Sequence, residues 1–159
     1  RRRRRHRPRA PDGRGHGLGD QGGWTGAGGL TTEGAETHPV GKEKFLAASA
    51  SDTLRSRSMT GKPARMLRTA WTDEWEGAQS PGPLPMPLQP MLTAQAQERI
   101  RRASTTPGTG AAQLVTYFVG QVVGSLDRVR PARQVLLDMV EEYVDTVDVM
   151  RQGMDAAAT

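Results

Sequence analysis

The chain has 159 residues, a formal net charge of +5, 35% hydrophobic residues and no cysteine. The length suits one domain of ordinary size and falls short of a complete (β/α)₈ barrel, which needs at least about 200 residues. The lack of cysteine excludes a disulfide framework, a thiolate metal site, an iron–sulfur cluster and a cysteine nucleophile. No apolar run approaches the ~18 residues of a membrane span, and the basic start is not followed by the apolar stretch of a secretory signal. The expected location is therefore the cytoplasm. The charge is uneven: residues 1–38 carry eight arginines against Asp12, Asp20, Glu33 and Glu36, whereas residues 39–159 carry 14 basic and 13 acidic side chains.

Residues 1–29 are rich in arginine and glycine, and before Leu30 only Leu18 and Trp24 are large apolar side chains. Such a segment cannot bury enough apolar surface to offset an ordering cost of ~1–2 kcal/mol per residue, so disorder is expected there. Pro39 suits the first turn of a helix, with Thr37 or His38 as the flanking cap. Val40, Lys44, Phe45 and Ala48 then fall near one face of a helix reaching about Ala50. Asp52–Met59 alternates as a short strand would, and Gly61 and Pro63 end it. Residues 64–68 and 72–77 are predicted as short helices, with Trp71 and Trp75 one turn apart.

Five prolines in residues 80–91 exclude regular structure and predict an extended stretch laid over the domain surface. A polar helix over 93–103 follows, with Ala96, Ile100 and Ala103 inward, then a loop over 104–110. Residues 111–126 are apolar nearly all round and predict a buried helix. Pro131 opens an amphipathic helix to about Met150. The two are expected to pack antiparallel through Val119, Val122, Val123, Leu136, Met139, Val140 and Tyr143. Residues 153–159 read as a frayed tail.

Few constellations point to chemistry. The arginines of residues 1–9 could hold phosphates by charge, but without aromatic interleaving they read first as a solvated tail, and a basic-tailed nucleic-acid binder is only an alternative. Asp12-Gly13-Arg14-Gly15 and the glycines of 26–29 could cradle a phosphate with backbone N–H groups, yet neither follows a predicted strand or opens a predicted helix, and a flexible linker is the simpler reading. His6, His16 and His38 show no metal-ligand spacing. Asp73, Glu74 and Glu76 read as an acidic helix start that complements the dipole. Gly120 and Gly124 allow another backbone or a ligand to approach closely. Gln121 beside them reads as a satisfied core glutamine, with a cofactor edge as the alternative.

Three strings carry a resemblance to a known family: Asp52-Thr53 leading to Thr60-Gly61-Lys62-Pro63-Ala64-Arg65; the Pro-Leu-Pro-Met-Pro-Leu-Gln run at 83–89; and Gly120-Gln121-Val122-Val123-Gly124. From about Leu30 to Met150 the chain resembles the C-terminal part of the nitronate monooxygenases, formerly 2-nitropropane dioxygenases. The resemblance implies a (β/α)₈ TIM-barrel flavoprotein. FMN at the carboxyl ends of the strands would take electrons from an alkyl nitronate, and dioxygen would reoxidise it, giving a carbonyl compound and nitrite. A histidine from the middle of the family's chains assists as a base in many members.

It also implies what is missing. The first barrel strands, that histidine and most flavin contacts would lie upstream of the matching region. The family's phosphate-holding turns are matched only in pieces, at Asp12–Gly15 and Gly26. Familiar sequence preceded by Arg/Gly-rich sequence fits a coding-frame disruption or misplaced start. Gly13, Gly15, Gly26 and Gln121 are the candidate cofactor-binding residues, with no catalytic or metal-binding candidate.

The expected organisation is a disordered segment over 1–29, the family-like portion over 30–152, and a tail. As a free chain it should be mainly α, without a closed barrel, and inactive or weakly active. A non-enzymatic helical interaction module, self-associating through apolar helix surface, is the other alternative.

Overall fold

The computed structural model of the chain describes residues 26–157. It is mainly helical, with one small antiparallel sheet. Of the described residues, 26–35 and 129–157 belong to one unit and Glu36–Arg128 to another. The expectations for residues 1–25 lie outside the described residues.

In the Glu36–Arg128 unit, α1 spans Pro39–Ala47, with Pro39 in its first turn and His38 at the cap position. The missing proline N–H costs nothing there. Gly41 and Phe45, one turn apart, are buried, and the Phe45 ring packs on Tyr117 with centroids 5.4 Å apart at 55°. A Cβ on Gly41 would lie 2.4 Å from Tyr117 Cε2, so only glycine lets the tyrosine ring rest against the helix there. A 3₁₀ turn over Ala50–Asp52 follows, closed by Asp52 Oδ2, which accepts 2.7 Å bonds from the Ser49 N–H and hydroxyl.

Strand β1 (Thr53–Ser56) pairs antiparallel with β2 (Ala64–Leu67), with Thr53 opposite Leu67 and Arg55 opposite Arg65. Ala64–Leu67 is thus a strand, not the short helix predicted over 64–68. Met66 is fully buried, and paired strands satisfy backbone groups that an isolated turn of helix would leave open. The connecting turn needs Gly61 twice over. Its φ is +79°, and a Cβ there would lie 2.4 Å from Leu84 O and 2.6 Å from Met86 N.

Helix α2 (Ala70–Glu76) brings Trp71 and Trp75 to 5.9 Å between ring centroids. The proline-rich stretch up to Pro87 has no regular structure, as expected, but helix begins earlier than predicted: α3 runs over Leu88–Ala103. Pro90 fits inside its first turn, where a missing N–H is harmless. The fully buried side chain here is Gln89. Its amide donates to Ser58 O (2.8 Å) and its Oε1 accepts from Leu84 N (2.9 Å), pinning the proline-rich stretch to the residues after β1.

The long buried helix expected over 111–126 is absent. Helix α4 covers only Ala111–Leu114; an extended segment follows, then a 3₁₀ turn over Gln121–Ser125. The segment lies along β2: Leu67 N donates to Tyr117 O (3.0 Å), Val119 N to Arg65 O (3.2 Å), and the Thr116 hydroxyl to Leu67 O (2.8 Å). A run apolar all round has no period by which to choose helix over strand, and Val115-Thr116-Tyr117-Phe118-Val119 is made of β-branched and aromatic residues that fit a pleated surface. Val119 and Val123 are buried as predicted, whereas Val122 is exposed. Gly124 does permit a close approach: a Cβ on it would lie 2.7 Å from Ala50 N.

In the other unit, Thr31 and Thr32 are buried, Thr32 bridges Arg130 in parallel, and Glu33 N donates to Arg130 O at 3.0 Å. Helix α5 spans Ala132–Ala157, continuing well past the expected end near Met150. Asp138 is held by Arg130 and by Gln134 (2.6 Å). None of the α5 side chains is buried. Leu136 (62% exposed) and Val140 (60%) are open to solvent, so their predicted packing against a preceding helix does not occur. Met139 and Tyr143 are half-buried.

Candidate functional site

Gly13 and Gly15 lie outside the described residues. Gly26 is exposed; its carbonyl accepts from Gly29 N (3.2 Å) at the start of the Ala27–Gly29 3₁₀ turn, and a Cβ there would meet nothing within 4 Å. Gln121 opens its 3₁₀ turn with an exposed side chain and is not a core glutamine. Gly26 and Gln121 belong to different units. The glutamine that does span two backbone segments is Gln89. Proline on both sides in the sequence disguises it as part of an extended stretch.

The densest polar arrangement surrounds the extended segment at 115–119. The Lys44 ammonium donates to Gln113 O (3.2 Å) and Val115 O (2.7 Å), carbonyls left open where α4 ends. Burial pulls its pKa below the ordinary lysine value. Burial raises the Tyr117 phenol above its ordinary value, opposed by a hydrogen bond from the His38 backbone and by the charge of Arg101. Near neutral pH this phenol is protonated, and the lysine proton is directed at carbonyls. His38 Nδ1 is buried without a hydrogen-bond partner.

Several carboxylates are engaged structurally. Asp73 meets Arg68 Nε at 2.8 Å, as an acid in the first turn of α2. Glu98 is held by Arg101 and Arg102, and these hydrogen bonds lower its pKa. The bonds from Ser49 do the same for Asp52. Among the described residues no group of three or more His, Asp or Glu could hold a metal ion, and no helix is long and apolar enough to cross a membrane.

The nitronate monooxygenase family profile matches residues 17–142. The chain belongs to the nitronate monooxygenase family. This family member is 67% identical over 137 residues to Rv1533 of Mycobacterium tuberculosis, which carries a provisional monooxygenase name; the match covers 86% of this chain and 36% of that protein. It is 28% identical over 127 residues to a Bacillus subtilis protein provisionally named nitronate monooxygenase, covering 80% of this chain and 35% of the relative. The chain thus spans about a third of the length of these curated relatives. Among solved structures, FabK from Thermotoga maritima superposes with a TM-score of 0.64 at 28% identity, over 89% of this chain and 44% of FabK. Its M276A mutant superposes at 0.57. The three strings that carry the resemblance all fall inside the matched region: the turn at Gly61, the stretch pinned by Gln89, and the 3₁₀ turn at Gln121–Ser125.

Proposed function

We propose that residues 30–152 form the C-terminal portion of an FMN-dependent oxidoreductase on a (β/α)₈ barrel, which oxidises alkyl nitronates with dioxygen to a carbonyl compound and nitrite. The observation that carries this is the family match over residues 17–142. The exposed apolar face of α5 supports it, since the outer helices of such a barrel set their apolar faces against its strands. A cytoplasmic location is part of the same reading.

FMN would supply the redox chemistry when bound. The described residues do not fit a flavin site by themselves. Open space surrounds the Cβ position of Gly26, so that glycine is no cradle reserved for a phosphate. Gln121 offers one exposed side chain, and Lys44 spends its protons on backbone carbonyls. No reaction step is assigned to this chain's residues. Gly13, Gly15, Gly26 and Gln121 stay in the proposal as flavin contacts only within a completed barrel.

The 159-residue chain alone is expected to bind FMN weakly or not at all and to leave alkyl nitronates unoxidised. The test is purification without added flavin, then an absorption spectrum and an oxygen-consumption assay on a simple nitronate. Stoichiometric FMN with turnover would overturn the reading of this chain as an incomplete site. A second reading, a non-enzymatic helical interaction module, is favoured by α5 alone; it requires self-association that rises with concentration, measured by light scattering.

A further inference from the structure

Residues 49–69 hold five basic side chains against a single acidic one, Asp52. Two of these six charges are already satisfied: Asp52 is engaged by Ser49, and Arg68 is paired with Asp73. That leaves Arg55, Arg57, Lys62 and Arg65, none of which takes part in an ion pair among the described residues.

The register of the hairpin decides where two of them go. Arg55 lies directly opposite Arg65, so both stand on one face of the ribbon; Arg57 follows just past the end of β1 and is exposed. On the other face Ser56 and Met66 are buried, and on the arginine face Leu67, opposite Thr53, is buried as well. Like charges placed directly across a strand pair oppose its formation. Here nothing within the described residues relieves that repulsion.

Two of the three arginines are also held in place. Arg65 Nη1 donates to Thr53 Oγ1 at 3.0 Å, and Arg57 Nε donates to Gly61 O at 2.9 Å. Each spends one of its five N–H donors in this way and keeps the rest for an oxyanion. Arg55 is exposed. Opposed side chains start ~5 Å apart and alternate ones roughly 7 Å apart. That span matches a ligand with several acceptor oxygens and at least two negative charges, which guanidinium forks bind in bidentate fashion.

We propose that the outer face of the β1–β2 hairpin, through Arg55, Arg57 and Arg65, binds a phosphate-bearing small molecule of the phosphomonoester or pyrophosphate class. The proposal does not rest on the flavin contacts named above.

The test is calorimetric titration of the full 159-residue chain with inorganic pyrophosphate at low ionic strength. The wild type should show saturable one-to-one binding. Arg55→Gln should weaken it several-fold and the Arg55→Gln/Arg57→Gln double variant at least tenfold. Among the described residues Arg55 makes no side-chain hydrogen bond, so the thermal midpoint of Arg55→Gln without ligand should match the wild type and keep folding out of the comparison. Absence of saturable heat, or heat unchanged in Arg55→Gln and the double variant, overturns the proposal; in the latter case the heat belongs to the arginines of residues 1–9. A labelled single-stranded oligonucleotide distinguishes the source of the phosphate. Its displacement by excess pyrophosphate supports the small-ligand site, whereas binding that depends on Arg55 but resists pyrophosphate overturns it.

Discussion

The unit of residues 36–128 and helix α5 use apolar side chains in opposite ways. In the first, Phe45, Met66 and Val123 are fully buried, and so is Gln89, with both ends of its amide satisfied. In the second, a 26-residue helix lays out Leu136, Val140, Val144, Val147 and Met154 with none of them buried. An amphipathic pattern states that a helix has a face to cover; it does not state what covers it. The contrast predicts where substitutions will be felt.

The largest effect should come from Val123→Asp, which places an unpaired charge at a fully buried position. A cost of several kcal/mol is expected, read as loss of the cooperative thermal transition. An unchanged melt would remove Val123 from the core. Gln89→Ala should cost less, about 1–3 kcal/mol, because it leaves Leu84 N and Ser58 O without their partner. Denaturant titration would measure it. Proteolysis within residues 80–87 should also speed up, and a variant that cleaves no faster would show that the stretch is held by other contacts.

Alkaline pH tests the polar cluster more gently. Lys44 has a lowered pKa, so the unfolded chain binds its proton more readily between that lowered value and the ordinary 10.5. Stability from this group therefore rises with pH through that window. Tyr117 has a raised pKa, so its contribution is present below the ordinary 10.0 and is lost as pH climbs toward the folded value. Replacing Lys44 with Met should make the melting temperature fall more steeply on the alkaline side, and Tyr117→Phe should flatten it. Equal slopes in both variants would show that neither environment differs from water.

The smallest effect belongs to α5. Leu136→Lys and Val140→Lys should each change stability by no more than about 0.5 kcal/mol in this chain, as expected for solvent-exposed positions. A large loss in either variant would mean that the face is covered, and would erase the contrast between the two regions.

Much of the local structure follows from residue chemistry alone. Pro39 sets the start of α1, Gly61 shapes the turn between β1 and β2, and Pro131 precedes α5, because fixed φ, a missing N–H and a left-handed turn act within a few residues. The strings around Gly61, Gln89 and Gln121 likewise mark the family before any fold is seen. Pairing and coverage were not legible. Residues 115–119 could be helix or strand by pattern, and β2 decided it by offering a row of backbone partners. Gln121 and Gln89 both sit in apolar company in the sequence, yet Gln89 is fully buried and bonds two backbone groups, whereas Gln121 is exposed. Arg55 and Arg65 are ten residues apart in sequence and become neighbours only through the strand register. A side chain's own chemistry sets the turn it sits in, but its burial and partners depend on residues that the chain brings together only when it folds.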